Sequence, residues 1–131
     1  MSVQLNHTIV AATDPHTSAQ YLADLLDLDA PVRFGPFMEV QMDNELTLDY
    51  LTETGQITSQ HYAFLVSDDV FDRAFERITS SGQDYWADPG LREQGRINTN
   101  DGGRGVYFHD PDGHLLELIT VPYGGWPPDA A

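Results

Sequence analysis

At 131 residues the chain is long enough for one domain with a real core, since a fold of this size buries roughly two-thirds of its unfolded surface. A hydrophobic content of 40% argues against disorder, nothing resembles a signal peptide or a membrane span, and the absence of cysteine excludes disulfides and thiolate metal sites. The formal net charge of −15, with every basic residue an Arg and no Lys, repels phosphate backbones and anionic membranes. Neither nucleic acid nor membrane is therefore expected as a partner, and a cytoplasmic protein with a solvated acidic surface is.

Val3 to Ala12 reads as a strand rich in β-branched residues. Asp14-Pro15 supplies an N-cap and a proline at the first helical position, and Tyr21, Leu22, Leu25 and Leu26 form an apolar stripe at helical spacing. This predicts a helix over 15–28. Phe37 to Met42 and Leu46 to Leu51 alternate like paired strands around a turn at Asp43-Asn44. The second half repeats this order. Gln60 to Val66 is a strand, and Asp68 is expected to cap a helix carrying Val70, Phe71, Ala74, Phe75 and Ile78 that ends at Gly82. Gly105 to His109 and His114 to Val121 are the closing strands.

The repeat is the most informative feature. His7 precedes Asp14 by the interval that separates His61 from Asp68, and Leu48-Asp49-Tyr50 stands where Leu116-Glu117-Leu118 stands in the second copy. Each copy reads β-α-β-β-β, giving one domain of paired modules over about 3–58 and 59–123. The second copy is longer by a polar, glycine-rich segment, about Asp88 to Arg104, read as a loop over the site.

Strand periodicity places the side chains. Leu5, His7 and Ile9 share one face, as do His61, Ala63 and Leu65. The turn Asp110-Pro111-Asp112-Gly113 suits a type I turn with a bulge. That turn sets Tyr107 opposite Glu117 on one face with His109, Leu115 and Ile119; a tighter two-residue turn would put Tyr107 on the other face. A carboxylate between Leu116 and Leu118 is costly to bury unless paired or bound to a cation. Two imidazoles and a carboxylate are an adequate ligand set for a divalent ion, with positions left open for water or substrate.

Leu5-Asn6-His7-Thr8-Ile9, Gln60-His61-Tyr62-Ala63-Phe64 and the run from Val106 to Glu117 resemble the marker segments of the vicinal oxygen chelate family. That family includes glyoxalase I, extradiol dioxygenases, methylmalonyl-CoA epimerase, fosfomycin-modifying transferases and bleomycin-binding proteins. The resemblance covers residues 3 to about 123. It implies an α+β fold in which paired βαβββ modules form a curled mixed-sheet cleft. It also implies His7, His61 and Glu117 as metal ligands; Fe, Mn, Zn, Ni and Co are not distinguished. It further implies a homodimer whose cleft combines His7 and Asp49 of one chain with His61 and Glu117 of the other.

Asp49, as the repeat counterpart of Glu117, is a fourth ligand, a general base, or a polar residue of a half-exposed strand. Tyr107 is a candidate hydrogen-bond donor at the metal. His109 reads as a hairpin residue at the solvent edge, His16 and His114 as exposed, and Trp86 and Phe37 as pocket-lining or core. Arg92, Arg96 and Arg104 meet either an anionic substrate or surface carboxylates. The expected activity is that of a metal-dependent enzyme acting on a small oxygenated substrate chelated by the metal, by proton transfer (lyase or isomerase) or by ring-cleaving dioxygenation. The alternative is a bleomycin-resistance-type protein that sequesters a drug or aromatic metabolite. A fosfomycin transferase is disfavoured, because that group resembles this chain at the ligands but relies on a lysine and carries threonine where Ile9 stands.

Overall fold

A computed structural model describes residues 2–128 as α+β, with two four-stranded mixed sheets and two helices. The contacts divide into two compact units. Among the described residues the first holds 2–59 and Asp110–Gly113, and the second holds Gln60–His109 and 114–128.

In the first unit β1 (His7–Ala12) leads into α1 (Pro15–Leu25), followed by β2 (Val32–Phe34), β3 (Phe37–Gln41) and β4 (Thr47–Thr52). The sheet order is β1-β4-β3-β2, with β1 parallel to β4 and the other pairs antiparallel. A parallel pair needs a crossover, and here α1 and the two strands after it provide one. Asp14 caps α1 by accepting from His16 N and Thr17 N, with Pro15 where no backbone donor is needed. The helix stops at Leu25, short of the expected residue 28. Asp27 turns left-handed at φ 56°, and Leu28 N donates to Ala23 O, which closes the helix end with a residue other than glycine. Ala19, Leu22 and Ala23 bury against β1, β3 and β4, where Val10, Val40, Leu48 and Tyr50 form the core. Residues 3–6, read from the sequence as strand, precede β1 and are exposed. Asp112 accepts from Thr13 N and Ser18 Oγ, which holds the Asp110–Gly113 turn on the start of α1.

The second unit repeats the plan: β5 (His61–Leu65), α2 (Asp68–Ser81), β6 (Tyr85–Trp86), β7 (Gly105–His109) and β8 (Leu115–Ile119), in the order β5-β8-β7-β6. The cap of α2 is Ser67, one residue before the expected Asp68; Ser67 accepts from Val70 N. Asp68 and Asp69 then occupy the first turn, where the partial positive charge of the helix end favours them. Gly82 ends the helix at φ 78°, a conformation that penalises any Cβ. Phe71, Ala74 and Ile78 are its buried face, and Phe75 meets Tyr85 of β6 edge-on. The segment between β6 and β7 is tied into this unit. Asn98 and Gly105 exchange backbone bonds of 2.9 and 3.0 Å, and Asn98 Nδ2 donates to Ala87 O. No helix among the described residues is long and apolar enough to cross a membrane.

Candidate functional site

The ladders carry the repeat into three dimensions. In the first unit Ile9 pairs with Asp49, so His7 lies two residues before Asp49's partner. In the second Ala63 pairs with Glu117, and His61 holds the same place. The antiparallel ladders then set Tyr107 opposite Glu117 and Glu39 opposite Asp49. Each unit therefore presents a histidine, a buried carboxylate and a third polar residue on one sheet face.

In the second unit Glu117 is 1% exposed between Leu116 and Leu118, and two groups hold it. His61 Nε2 stands 3.1 Å from Glu117 Oε1, and the Tyr123 hydroxyl donates to Glu117 Oε2. Because Tyr123 has a single proton and gives it to the carboxylate, the Tyr107 hydroxyl, 3.1 Å away, donates to Tyr123. The Tyr107 ring also stacks over His61 at 6.1 Å. Burial pushes both phenol pKa values up, and for Tyr107 the hydrogen bond to Tyr123 and the nearby Glu117 add to it. These phenols stay protonated and act as donors.

His61 Nδ1 lies 2.9 Å from Leu115 O, and a carbonyl only accepts, so Nδ1 carries a proton. In the neutral ring Nε2 is then a bare lone pair facing a carboxylate oxygen. Two acceptors at 3.1 Å call for a proton or a cation. That separation is also the one expected for two donors placed at right angles about an ion at ~2.0–2.2 Å from each. The pair fits a divalent metal, and the Leu115 carbonyl fixes the tautomer as outer partners of metal histidines do.

In the first unit His7 Nδ1 donates to Asn6 Oδ1 at 2.8 Å, which again leaves Nε2 as the free nitrogen. Asp49 is 5% exposed, and its Oδ1 is buried with no hydrogen-bond donor among the described residues. Its neighbour is the Glu39 carboxyl. Partial burial, then the charge and hydrogen bonding of Asp49, push Glu39 above the usual carboxylate range, and His7 opposes the shift. These residues line a cavity of about 280 Å³ with Ile9, Phe34, Phe37 and Thr47.

Of the sequence candidates, the structure brings His61, Glu117 and Tyr107 together in one unit, and His7 and Asp49 in the other. Among the described residues no three His, Asp or Glu side chains are grouped to hold one ion. Phe37 lines the cavity, whereas Trp86 packs edge-on to His109 at 5.4 Å. His16 is exposed. His114, expected at the surface, is wholly buried: its Nδ1 accepts from Gln60 N at 3.0 Å, and the Tyr62 ring meets it edge-on. Arg104 pairs with Asp72 and Asp68 at 2.6 and 3.0 Å and lies over the Phe71 ring, so surface carboxylates are its partners. Glu39 and Tyr123 escaped the sequence reading. Carrying the repeat into the third strand would have paired Glu39 with Tyr107; no pattern marks Tyr123.

Comparisons with known proteins agree with this architecture. The chain is 61% identical to a solved structure named Oxidase ChaP-H1, covering 95% of this chain and 100% of that one with a TM-score of 0.92. It is 58% identical to Oxidase ChaP-H2, covering 95% and 98%, with a TM-score of 0.93. It is also 30% identical over 125 residues to glutathione transferase FosA of Serratia marcescens, covering 90% of this chain and 81% of that protein. With residues 4–118 matching its family profile, the chain belongs to the Glyoxalase/Bleomycin resistance protein/Dioxygenase superfamily.

Proposed function

We propose that this protein is a divalent-metal-dependent enzyme that oxidises a small oxygenated substrate with dioxygen, and that His7, His61 and Glu117 are its metal ligands. The observation that carries the reading is the His61–Glu117 pair, an imidazole nitrogen 3.1 Å from a buried carboxylate oxygen. A set of two histidines and one carboxylate with open positions is the pattern of non-haem iron(II) oxygenases. The full-length likeness to two proteins named oxidase favours oxidation over isomerisation. When bound, the metal would supply Lewis acidity and redox capacity to a substrate held at the site. Dioxygen is the electron acceptor and the substrate the donor, so no separate reductant is needed.

The chain's own residues have separable tasks in this reading. Tyr107 and Tyr123 orient Glu117 through a directed chain of hydrogen bonds, so both are positioning residues. Asp49 accepts a proton from the substrate as electrons leave it, which suits a buried carboxylate whose Oδ1 has no hydrogen-bond partner among the described residues. Protein loaded with Fe(II) is expected to consume oxygen in proportion to substrate across a panel of catechols and hydroxyquinones. Turnover of a hemithioacetal under nitrogen, with no oxygen uptake on any aromatic substrate, would replace the oxidase reading with an isomerase one.

We propose further that the complete ligand set forms in a homodimer, with His7 and Asp49 of one chain meeting His61 and Glu117 of its partner. Light scattering is expected to give twice the 14.6 kDa chain mass. Mixing inactive His7→Ala with inactive Glu117→Gln protein is expected to restore activity, because one of the two mixed sites is then intact. A monomer with full metal occupancy contradicts this assembly.

A further inference from the structure

The lining of the first unit's cavity has an apolar part and an acidic part. Ile9, Phe34 and Phe37 are apolar, and Phe34 is 66% exposed although it is a large aromatic residue. Beside them on the same sheet face are Glu39 and Asp49, directly opposite one another on β3 and β4, with Thr47 and Asn6 also in the lining. An ionised carboxylate can only accept hydrogen bonds, and among the described residues no Arg lines the cavity to neutralise the pair. His7 is its one basic group, and its Nδ1 is occupied by Asn6. Asp49 is only 5% exposed, yet its Oδ1 finds no donor among the described residues. Buried acceptors are almost always partnered, so the missing donor points to something that arrives with a ligand.

We infer that Glu39 and Asp49 form an acceptor wall that selects a ring-bearing ligand carrying hydroxyl or ammonium hydrogens and rejects one bearing an acidic group. The size agrees. A cavity of about 150 Å³ holds benzene, so about 280 Å³ takes one or two fused rings. The ring lies against Phe34 and Phe37, and its donor reaches the carboxyl pair. A carboxylate or phosphonate in the same place meets two like charges in a partly desolvated space, which weakens binding on the order of tenfold or more. Glu39 is thereby a specificity-determining residue, occupying in this unit the ladder position that Tyr107 holds in the other. The inference deepens the oxidase reading, and rests on it only in taking the occupant of this cavity to be the substrate.

Benzylamine, benzyl alcohol and benzoate share a ring and differ in charge, so they test the wall directly. Their binding is measured by calorimetry or NMR titration on the full-length protein after chelation of metal, so that no ion assists the anion. Amine and alcohol are expected to bind with benzoate at least about tenfold weaker. Glu39→Gln keeps the shape and removes one charge, so it is expected to narrow that gap severalfold. Phe34→Ala is expected to weaken all three probes alike, with the preference retained. Benzoate binding as tightly as the alcohol, or an unchanged preference in Glu39→Gln, overturns the inference and leaves the oxidase reading standing. Absence of oxygen uptake in the metal-loaded wild type, with the charge preference intact, removes the oxidase reading and leaves the wall.

Discussion

Glu117→Gln is expected to lose metal and turnover together. The substitution preserves the side chain's size and leaves a carbonyl oxygen for the Tyr123 hydroxyl, so the fold of the second unit survives. What disappears is the one negative charge facing His61 Nε2 in a position 1% exposed. A metal held by two neutral imidazoles alone lacks its anionic ligand. Affinity is expected to fall by more than the ~10–100-fold that loss of an outer partner causes. Tyr123→Phe provides that comparison, because it removes only the donor to Glu117 Oε2 and should cost metal affinity within that range. Metal analysis after dialysis against a weak chelator reads both variants. Equal metal content in wild type and Glu117→Gln would falsify the assignment of Glu117 as a ligand. Tyr123→Phe behaving like Glu117→Gln would instead make the phenol itself a ligand.

The repeat makes most of the strand registers around the candidate site legible in the sequence. Equal spacing of His7 and His61 from their helices, and of Asp49 and Glu117 within their strands, is reproduced by the ladders Ile9–Asp49 and Ala63–Glu117. The turn chemistry of Asp110 to Gly113 set the Tyr107–Glu117 register, which the structure shows. What stayed hidden has identifiable causes. β2 and β6 are three and two residues long, too short for alternation to register. Glu39 stands between Met38 and Val40, where a polar residue on an alternating strand reads as solvent-facing. His114 follows Gly113 in a turn-like stretch, and only the long-range approach of Gln60 and Tyr62 buries it. Tyr123 lies beyond β8 in a stretch rich in proline and glycine, where no periodicity says which way a side chain returns. Local pattern finds what a strand repeats. It does not find contacts made by chain reversals.

Asp49→Asn separates the roles open to the other buried carboxylate, and it is expected to act on stability and activity in opposite directions. In the wild type, Asp49 lies opposite Glu39 with a buried oxygen that no group among the described residues donates to. Leaving such an acceptor unmet costs about 1–3 kcal/mol, and a second carboxyl nearby adds like-charge repulsion. Asparagine is the same size, carries no charge and brings an amide that can donate to Glu39. Metal-free Asp49→Asn is therefore expected to be at least as stable as wild type, and more stable by about 1 kcal/mol in denaturant unfolding, as when a strained functional group is removed. Turnover is expected to fall by about 10²–10⁴, the usual contribution of a positioned base, with metal content nearly unchanged. A joint loss of metal would instead make Asp49 a fourth ligand. A variant with full activity and full metal would reduce Asp49 to a strand residue, and proton acceptance would have to be sought elsewhere along the wall it shares with Glu39.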